Sequence, residues 1–178
     1  NGKIFIPTAE TVIEADDLVS FIASSNDSLQ FLKYLKYDTE RIERLTIIGG
    51  SKISIFLARM AMDLGISVMI VDRHKRRCEY LHSILPGASV IFGDATDTDL
   101  LDEEGVLEST VVVAATEDDA TNIMLALYIN KMAKDVKVVT KVKKSDFEDM
   151  IVNLNIGTVF NPKYITVDHI LRYVRGMQ

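Results

Sequence analysis

From residue 44 onwards, short apolar runs alternate with segments of helical periodicity. The apolar runs lack the polar alternation of half-exposed strands, so they predict strands that are buried on both faces of a sheet. They cover residues 45–48, 68–71, 89–92, 110–114, 136–140 and 158–160. The helical segments cover residues 51–64, 75–85, 99–104, 118–133, 146–153 and 164–174. Because a helix between two strands of one sheet makes a parallel crossover, the pattern predicts an α/β fold with a doubly wound, parallel, Rossmann-like sheet of order 3-2-1-4-5-6.

Capping signals mark three of these helix starts. Thr116 with Asp119 approximates a capping box, and Ser145 with Glu148 forms a complete one. The pair Asn161-Pro162 places an N-cap before a proline in the first helical turn. The first of the helices is predicted to have one apolar face, which comprises Ile53, Phe56, Leu57, Met60, Ala61 and Leu64.

The first 40 residues have a different pattern. Short β-type runs separated by turn signals cover residues 3–6, 11–14 and 17–23. A few strands alone bury too little apolar surface to be stable, so we interpret them as the end of a preceding β-rich domain. A helix is predicted over 25–37, with Asp27 or Ser28 as its cap. The expected organisation is a β-rich tail, a linker helix, a Rossmann-like domain and a closing helix over residues 1–23, 24–43, 44–162 and 163–178.

Composition excludes several classes of protein. With 48% hydrophobic and 26% charged residues among 178, the chain is globular and not disordered. Its longest apolar run, residues 123–129, is far shorter than the roughly 20 residues of a membrane span, so we expect no direct membrane insertion. The formal charge of −6 argues against nucleic acid as a partner. A single cysteine, Cys78, excludes an internal disulfide, and the absence of a signal segment favours a cytoplasmic location.

A glycine-rich turn follows the first predicted strand. The segment Gly49-Gly50-Ser51-Lys52-Ile53-Ser54 occupies the place of the dinucleotide-binding G-x-G-x-x-G. Gly49 can supply the tight turn. Ser51 replaces the glycine that lets N–H groups approach a pyrophosphate, so it narrows the approach while offering a hydroxyl donor. Ser54 replaces the glycine of close helix–strand packing, and Lys52 adds a positive charge at the helix start.

The second strand ends in an acidic residue at the expected distance. Asp72 lies 18 residues past Ser54, where an acid binds the ribose hydroxyls of an adenosine and disfavours a 2′-phosphate. The alternative is an ordinary helix-capping aspartate. A basic run follows, and it is interpreted either as a solvated helix face or as a 2′-phosphate site; it consists of Arg73, Lys75, Arg76 and Arg77.

Two further strand ends border the same predicted site. The third strand leads into Gly93-Asp94-Ala95-Thr96-Asp97, the loop beside an adenine pocket. Asp94 can accept from the exocyclic amine and Ala95 can offer its backbone, whereas the alternative is a simple turn with Asp97 as a helix cap. The fourth strand ends in Ala114-Ala115-Thr116, small residues that either leave room for a ligand or simply pack well.

Motifs of catalysis are missing from the sequence. His74, His82 and His169 are far apart and are expected at the surface or an interface, and Cys78 is expected to pack within a helix. There is no G-x-S-x-G elbow or Walker motif. Two alternatives to a ligand-binding regulator remain. One is an NAD-dependent oxidoreductase with a substrate domain elsewhere, and the other is a structural assembly domain without a ligand, which Ser51 and Ser54 favour.

Several motifs in order resemble one known family. TIIGGSKISIFLARMAMDLGISVMIVDRHKRRCEYL, FGDATD and VAATEDDATNIMLALYINKM are similar to the RCK (TrkA-N) domain of bacterial potassium-uptake regulators. ITVDHILRYVRG resembles the crossover helix of that family, and IFIPTAETVIEADDLVSFIA resembles the end of a TrkA-C domain. The order implies a segment from the middle of a two-repeat regulator, entering its second half.

The resemblance implies a function and a site. It implies a cytoplasmic regulatory subunit, not an enzyme, that binds NAD(H) or an adenine nucleotide such as AMP, ADP or ATP. It also implies a homo-oligomer, with dimers that build a ring beneath a membrane potassium transporter or channel subunit. Lys141 stands where the family often has a phosphate-contacting arginine, whereas Ser51 and Ser54 depart from its pattern. The positions that match the family's nucleotide pocket are Gly49, Asp72, Arg73, Asp94, Ala95 and Thr116.

Two helices carry more apolar surface than one sheet face needs. Residues 123–129 are apolar on every side of their helix. The closing helix has a second apolar stripe made of Tyr164, Val167, Leu171 and Val174. Burial of this surplus between symmetric copies independently predicts self-association. The alternative is that a following domain of the intact protein covers the closing helix.

Overall fold

The computed structural model describes residues 6, 8, 10–14, 19, 23–35, 41–144, 151, 154 and 156–176. By its internal contacts the chain divides into two units, residues 1–41 and residues 42–178. Among the described residues, no helix combines the length and the apolar character that a membrane span requires.

The first unit contains one described helix, α1, from Ser25 to Tyr34. Its cap is Ser24, whose hydroxyl accepts from the Asp27 backbone N–H at 3.2 Å and donates to the Asp27 carboxylate at 2.7 Å. The prediction of Asp27 or Ser28 as the cap was therefore wrong, because the carboxylate serves as the acceptor for the capping hydroxyl.

The predicted strand over 11–14 is not formed. The Thr11 N–H donates to the Thr8 carbonyl at 3.0 Å, so the chain turns there, and Val12 and Ile13 are exposed. A β-type run without a neighbouring strand to take up its N–H and C=O groups has no ladder to join. The runs predicted over 3–6 and 17–23 lie largely outside the described residues.

Six parallel strands form one sheet in the described part of the second unit. They are β1 (Arg44–Ile48), β2 (Ser67–Asp72), β3 (Ser89–Phe92), β4 (Val111–Ala114), β5 (Lys137–Lys141) and β6 (Thr158–Phe160). Their order is β3-β2-β1-β4-β5-β6, and every pair is parallel. The predicted fold and strand order are confirmed.

The helices follow the predicted crossovers. They are α2 (Lys52–Asp63), α3 (Lys75–Ile84), α4 (Thr98–Glu103), α5 (Asp119–Met132) and α6 (Pro162–Gly176). A 3-10 turn that the periodicity did not indicate covers Val106–Glu108, after Gly105 with φ +67°. The helix predicted over 146–153 lies outside the described residues apart from Ile151, which is buried.

The core consists of two apolar clusters, and the central strands contribute to both. Ile47 and Ile70 belong to one cluster, whereas their neighbours Ile48 and Val71 belong to the other. Because successive strand residues point to opposite faces, both faces of the sheet are covered. This explains why the strands appear in the sequence as unbroken apolar runs.

Helix α2 packs on the sheet with small residues. Its buried side chains are Ser54, Ala58 and Ala61. Most of the large residues of the predicted face are exposed, with values of 40%, 67%, 66% and 74% for Ile53, Phe56, Met60 and Leu64. The predicted buried face was therefore wrong for these four residues, because small side chains let the helix axis approach the sheet closely.

Two of the three predicted caps can be compared with the structure. Asn161 is confirmed, since its Oδ1 accepts from the Lys163 N–H at 3.0 Å. The α5 cap is Asp118, whose Oδ2 accepts from the Thr121 N–H at 2.7 Å. The prediction of Thr116 with Asp119 was wrong by two positions, because Thr116 is bonded to a residue farther along the helix. The pair Ser145 and Glu148 lies outside the described residues.

The apolar surplus of the last two helices is exposed in this unit. On α5, Met124 is 68% and Leu127 is 39% exposed. The predicted stripe of α6 is 46–54% exposed, and further apolar residues around the same helix are 49–71% exposed. These helices therefore present apolar surface that the described unit does not cover.

Candidate functional site

A cleft opens at the carboxyl ends of β1, β2, β3 and β4. In doubly wound sheets ligands bind at this edge, where the chain turns away to opposite faces. Most of the predicted site residues line the cleft, and four do not: Gly50, Lys52, Ile53 and Lys141. The full lining is Ile48, Gly49, Ser51, Val71, Asp72, Arg73, His74, Arg77, Gly93, Asp94, Ala95, Thr96, Ala115, Thr116, Glu117, Asp118 and Thr121.

Gly49 shapes the floor of the cleft. Its φ is +101°, a backbone conformation that L side chains rarely adopt. A Cβ at this position would lie 2.8 Å from the Thr116 Cα and 2.9 Å from the Ala115 carbonyl oxygen. The glycine therefore allows the loop after β1 to lie directly against the loop after β4.

Asp72 is buried at the centre of the site and is only 6% exposed. Its Oδ2 accepts from the Gly50 N–H at 2.7 Å. Its Oδ1 accepts from the His74 N–H at 2.8 Å and lies 2.9 Å from the His74 Nδ1. Burial alone would raise the pKa of Asp72, but the hydrogen bonds from Gly50 and His74 and the nearby Arg77 charge outweigh it and lower the pKa below the usual 3.8. The group is therefore an anion at neutral pH.

The helix-capping alternative for Asp72 is not what the structure shows. Helix α3 is capped at His74, without a side-chain bond at the cap. Asp72 instead ties the β1–α2 turn to the start of α3 through its two oxygens. Asp72 also lines the cleft, and its contact with a ribose stays a prediction.

Ser51 and Ser54 form a reciprocal capping box at the start of α2. The Ser51 Oγ accepts from the Ser54 N–H at 3.3 Å, and the Ser54 Oγ accepts from the Ser51 N–H at 3.2 Å. The Ser54 hydroxyl also donates to the Gly49 carbonyl. The two serines that break the glycine pattern therefore use their own side chains to bond two N–H groups at the helix start and the Gly49 carbonyl of the turn.

The loop after β3 is the capped turn considered from the sequence, and its contact with an adenine stays a prediction. Asp94 Oδ1 accepts from the N–H of Thr96 at 2.9 Å and from its hydroxyl at 2.8 Å, and Asp97 caps α4. The loop is thus a capped turn, and Asp94, Ala95 and Thr96 also line the cleft. The two Thr96 hydrogen bonds, with a contribution from Arg73, lower the pKa of Asp94.

The loop after β4 is held by a polar network. Thr116 donates from its N–H and its hydroxyl to Asn122 Oδ1, at 2.9 and 2.7 Å. Asn122 in turn donates to the Lys141 carbonyl at 2.9 Å. The small residues predicted to leave room for a ligand therefore end in a loop that is fastened to β5.

Lys141 lies behind this loop, and it is only 3% exposed. Its Nζ donates to the Ala115 carbonyl at 3.0 Å and lies 3.9 Å from the Glu117 carboxylate. Burial lowers the pKa of Lys141, although the Glu117 charge opposes the shift. Glu117 is also bonded by Lys143 at 3.3 Å, and that bond together with the Lys141 charge lowers the pKa of Glu117. A contact between Lys141 and a phosphate stays a prediction.

The basic run after β2 separates into two groups. Arg73 and Arg77 line the cleft together with His74, whereas Lys75 and Arg76 do not. The cleft therefore has cationic groups on the β2 side and carboxylates at the loops after β3 and β4. Cys78 is buried as expected, and its thiol donates to the Asp72 carbonyl at 3.2 Å.

Several lining residues were not predicted from the sequence. His74 was expected only at the surface or an interface, yet it stands two residues after Asp72, the spacing at which an aspartate bonds a later backbone N–H. That spacing was a usable signal. Glu117, Asp118 and Thr121 follow the fourth strand, where the cap was assigned to the wrong residue.

A sequence profile of the TrkA-N domain matches residues 45–162. Two curated relatives match nearly the whole chain. A Trk system potassium uptake protein TrkA of Vibrio alginolyticus is 32% identical over 98% of this chain and 38% of its own length. A TrkA homolog of Archaeoglobus fulgidus is 29% identical over 100% of this chain and 40% of its own length. The chain thus spans about two fifths of the relatives it matches.

Solved structures share the fold at low sequence identity. The NAD(P)-binding domain of an exopolyphosphatase-related protein from Archaeoglobus fulgidus has a TM-score of 0.65 at 18% identity, covering 76% of this chain and 99% of its own. The Shewanella denitrificans Kef CTD in AMP-bound form has a TM-score of 0.62 at 16% identity, covering 72% and 77%. The GsuK channel bound to NAD has a TM-score of 0.58 at 18% identity, covering 76% and 25%.

Proposed function

This chain belongs to the TrkA-N domain family, and on that premise we propose that it is the nucleotide-binding part of a regulatory subunit of a Trk-type potassium uptake system. Its ligand is NAD(H) or an adenine nucleotide such as AMP, ADP or ATP. The subunit is cytoplasmic, is not an enzyme, and controls a membrane potassium transporter or channel subunit. The curated relatives, named as Trk system potassium uptake proteins, support this proposal.

The observation that carries the proposal is a buried carboxylate beside a glycine turn at the carboxyl edge of the sheet. Asp72 accepts from the ribose hydroxyls, since its Oδ2 has one remaining acceptor position beside the Gly50 N–H. Asp94 and Ala95 face the adenine, and Arg73 provides a positive charge for the phosphate. Thr116 borders the phosphate from the opposite loop.

The fold of two neighbours supports the class of ligand. One of them contains AMP and another contains NAD, by their own descriptions. Their identity to this chain is below 25%, so they support a nucleotide-type fold and not a particular ligand. The choice between AMP, ADP, ATP and NAD(H) therefore depends on a binding measurement.

A structural assembly domain without a ligand is the second candidate. The observation that favours it is the capping box of Ser51 and Ser54, which occupies donors that a pyrophosphate would otherwise meet. The engagement of the Gly50 N–H by Asp72 points in the same direction. Calorimetric titration separates the two candidates directly.

The test is titration of the chain with AMP, ADP, ATP, NAD and NADH. We expect saturable binding of at least one of them. Arg73→Ala should weaken it by about tenfold, the loss of a hydrogen bond to a charged group, because Arg73 is exposed and lines the cleft. Arg76→Ala is the matched control, since Arg76 is exposed nearby and lies outside the cleft. No binding of any of the five, or equal losses in both variants, would contradict the proposal.

The proposed partners follow from the same premise. We expect copies of the regulator to associate as dimers that build a ring, through the exposed apolar surfaces of α5 and α6. The expected binding partner of the ring is the membrane subunit that conducts potassium. Potassium uptake by cells that carry the complete regulator with Arg73→Ala should respond less to the nucleotide than uptake with Arg76→Ala.

A further inference from the structure

The outer face of α2 presents four large apolar side chains to solvent. Ile53, Phe56, Met60 and Leu64 are 40%, 67%, 66% and 74% exposed. At about 100° per residue these four positions share one side of the helix, about 120° around the axis from the small residues that pack on the sheet. Contiguous apolar surface of this kind marks an interaction site.

The charges at the two ends of α2 are reversed with respect to the helix dipole. Lys52 is the first helical residue and Asp63 the last, and there is no acid in the first turn and no base in the last. A cation near the N-terminus and an anion near the C-terminus are each unfavourable for the helix that carries them. Within the part of the chain that the structure describes, neither residue has an ion-pair partner.

From these two observations we propose that the outer face of α2 binds the same face of a second copy of the chain, with the two helices antiparallel. In this arrangement each Lys52 lies at the C-terminal, negative end of the partner's helix and beside the partner's Asp63. Each Asp63 lies at the partner's N-terminal, positive end. The charges that are unfavourable within one helix thus become favourable between two.

The spacing of the residues fits a two-fold axis at the middle of the helix. Lys52 and Asp63 are eleven residues apart, which is about 16 Å along the axis and about 20° around it. Both charges therefore border the same edge of the apolar face, so an antiparallel pair brings Lys52 and Asp63 together twice. Phe56 and Met60 lie near the axis, and Ile53 of one copy lies close to Leu64 of the other.

A second copy fits this surface because the surface is complementary to itself. In a two-fold contact, the same patch must supply both members of every interaction. One helix that carries a central apolar face, a cation at one end and an anion at the other meets that condition without any other element. The contact is separate from the surfaces of α5 and α6 and does not depend on nucleotide binding.

The test is sedimentation velocity of the 178-residue chain at micromolar concentration. We expect self-association, and Met60→Asp should weaken it at least tenfold without a change in circular dichroism, since Met60 is exposed. Tyr80→Asp on α3 is the matched control, because Tyr80 is exposed to a similar extent, 57% against 66%, and lies outside α2, α5 and α6. Association that Met60→Asp leaves unchanged, or that Tyr80→Asp weakens equally, would overturn the proposal, as would a monomeric wild type.

Charge reversal tests the antiparallel orientation. Lys52→Glu and Asp63→Lys should each weaken the dimer by about tenfold, because each places like charges together at two positions of the contact. The double variant should restore the wild-type dissociation constant, since every pair is again of opposite sign. Increasing salt should weaken the wild-type dimer through the same pairs. If the double variant instead raises the dissociation constant by the product of the two single effects, the pairing of Lys52 with Asp63 is ruled out, and the antiparallel orientation with it.

Discussion

Replacing Asp72 by asparagine tests whether the carboxylate holds the site together before any ligand binds. The carboxylate accepts backbone N–H groups from Gly50 at 2.7 Å and His74 at 2.8 Å. An asparagine of the same shape has only one acceptor oxygen, and its amide nitrogen is a donor. In either rotamer the amide nitrogen therefore faces one of the two N–H groups.

The size of the effect follows from which bond is lost. The Gly50 bond is buried and the His74 bond is partly buried, so the asparagine oxygen should turn toward Gly50 and leave the His74 N–H to the solvent. Loss of charge assistance at the first bond and loss of the second together correspond to about 2 kcal/mol. We expect the free energy of unfolding to fall by that amount at pH 7.

Urea denaturation followed by circular dichroism measures this difference, with Asp94→Asn as the matched control. Asp94 is also a hydrogen-bonded cleft aspartate but is exposed, so its replacement should cost less than about 1 kcal/mol. A loss below about 0.5 kcal/mol for Asp72→Asn, or a loss equal to that of Asp94→Asn, would refute the structural role.

The pH dependence gives the same prediction an independent check. The pKa of Asp72 is lower in the folded chain than its usual 3.8. Its contribution to stability is therefore fully present above that value and is lost as the pH falls through the folded pKa. The difference between wild type and Asp72→Asn should thus be constant from pH 5 to 7 and shrink below about pH 4.

Two further changes test the turn after β1. Gly49→Ala should lower the free energy of unfolding by more than 2 kcal/mol, about the combined cost of a positive φ and of contacts within 3 Å. Gly65→Ala, also at positive φ but with open space around it, should show only the backbone part, about 1 kcal/mol in the same urea titration. Ser51→Gly should change stability by only a few tenths of a kcal/mol, about the difference between serine and glycine caps, and should tighten NAD more than AMP in calorimetry. Equal changes for both nucleotides would place the Ser51 side chain outside the path of a pyrophosphate.

The sheet could be predicted from the sequence because its strands are buried on both faces. Ile47 and Ile48, next to each other in β1, enter different clusters, so no polar residue interrupts the run. Glycine or aspartate then marks where several strands end. The strand order could be predicted because each strand–helix–strand crossover is right-handed, and this preference depends on the backbone more than on individual side chains.

The face of α2 could not be predicted in the same way. Helical periodicity shows which residues share a side, but it does not show which side meets the sheet. The large apolar residues of α2 share one face, which periodicity detects easily. Ala58 and Ala61 belong to a second face, whose small side chains allow a shorter distance between the helix and the sheet. Where two apolar faces compete, packing distance decides, and that distance is a property of the assembled layers.

The sequence predicted site residues that directly follow buried strands, but it did not predict contacts between residues of different loops and strands. Asp72 and Gly49 are fixed by their position directly after buried strands. Glu117 and Lys141 approach each other only because the loop after β4 folds against the end of β5. The carboxylate–lysine contact joins residues 24 positions apart in sequence, and no local pattern indicates it.

The serines of the turn change how a ligand can be held. A helix start offers four N–H groups, and in glycine-rich turns a phosphate satisfies several of them. Here the Ser51 and Ser54 N–H groups are paired with the serine side chains, which leaves those of Lys52 and Ile53. A phosphate at this turn therefore adds fewer new hydrogen bonds than it would in a glycine-rich turn. For the nucleotide binding proposed above, we therefore expect most of the affinity to come from the adenosine half, through Asp72 and the loop after β3, and a mononucleotide to lose less than a dinucleotide.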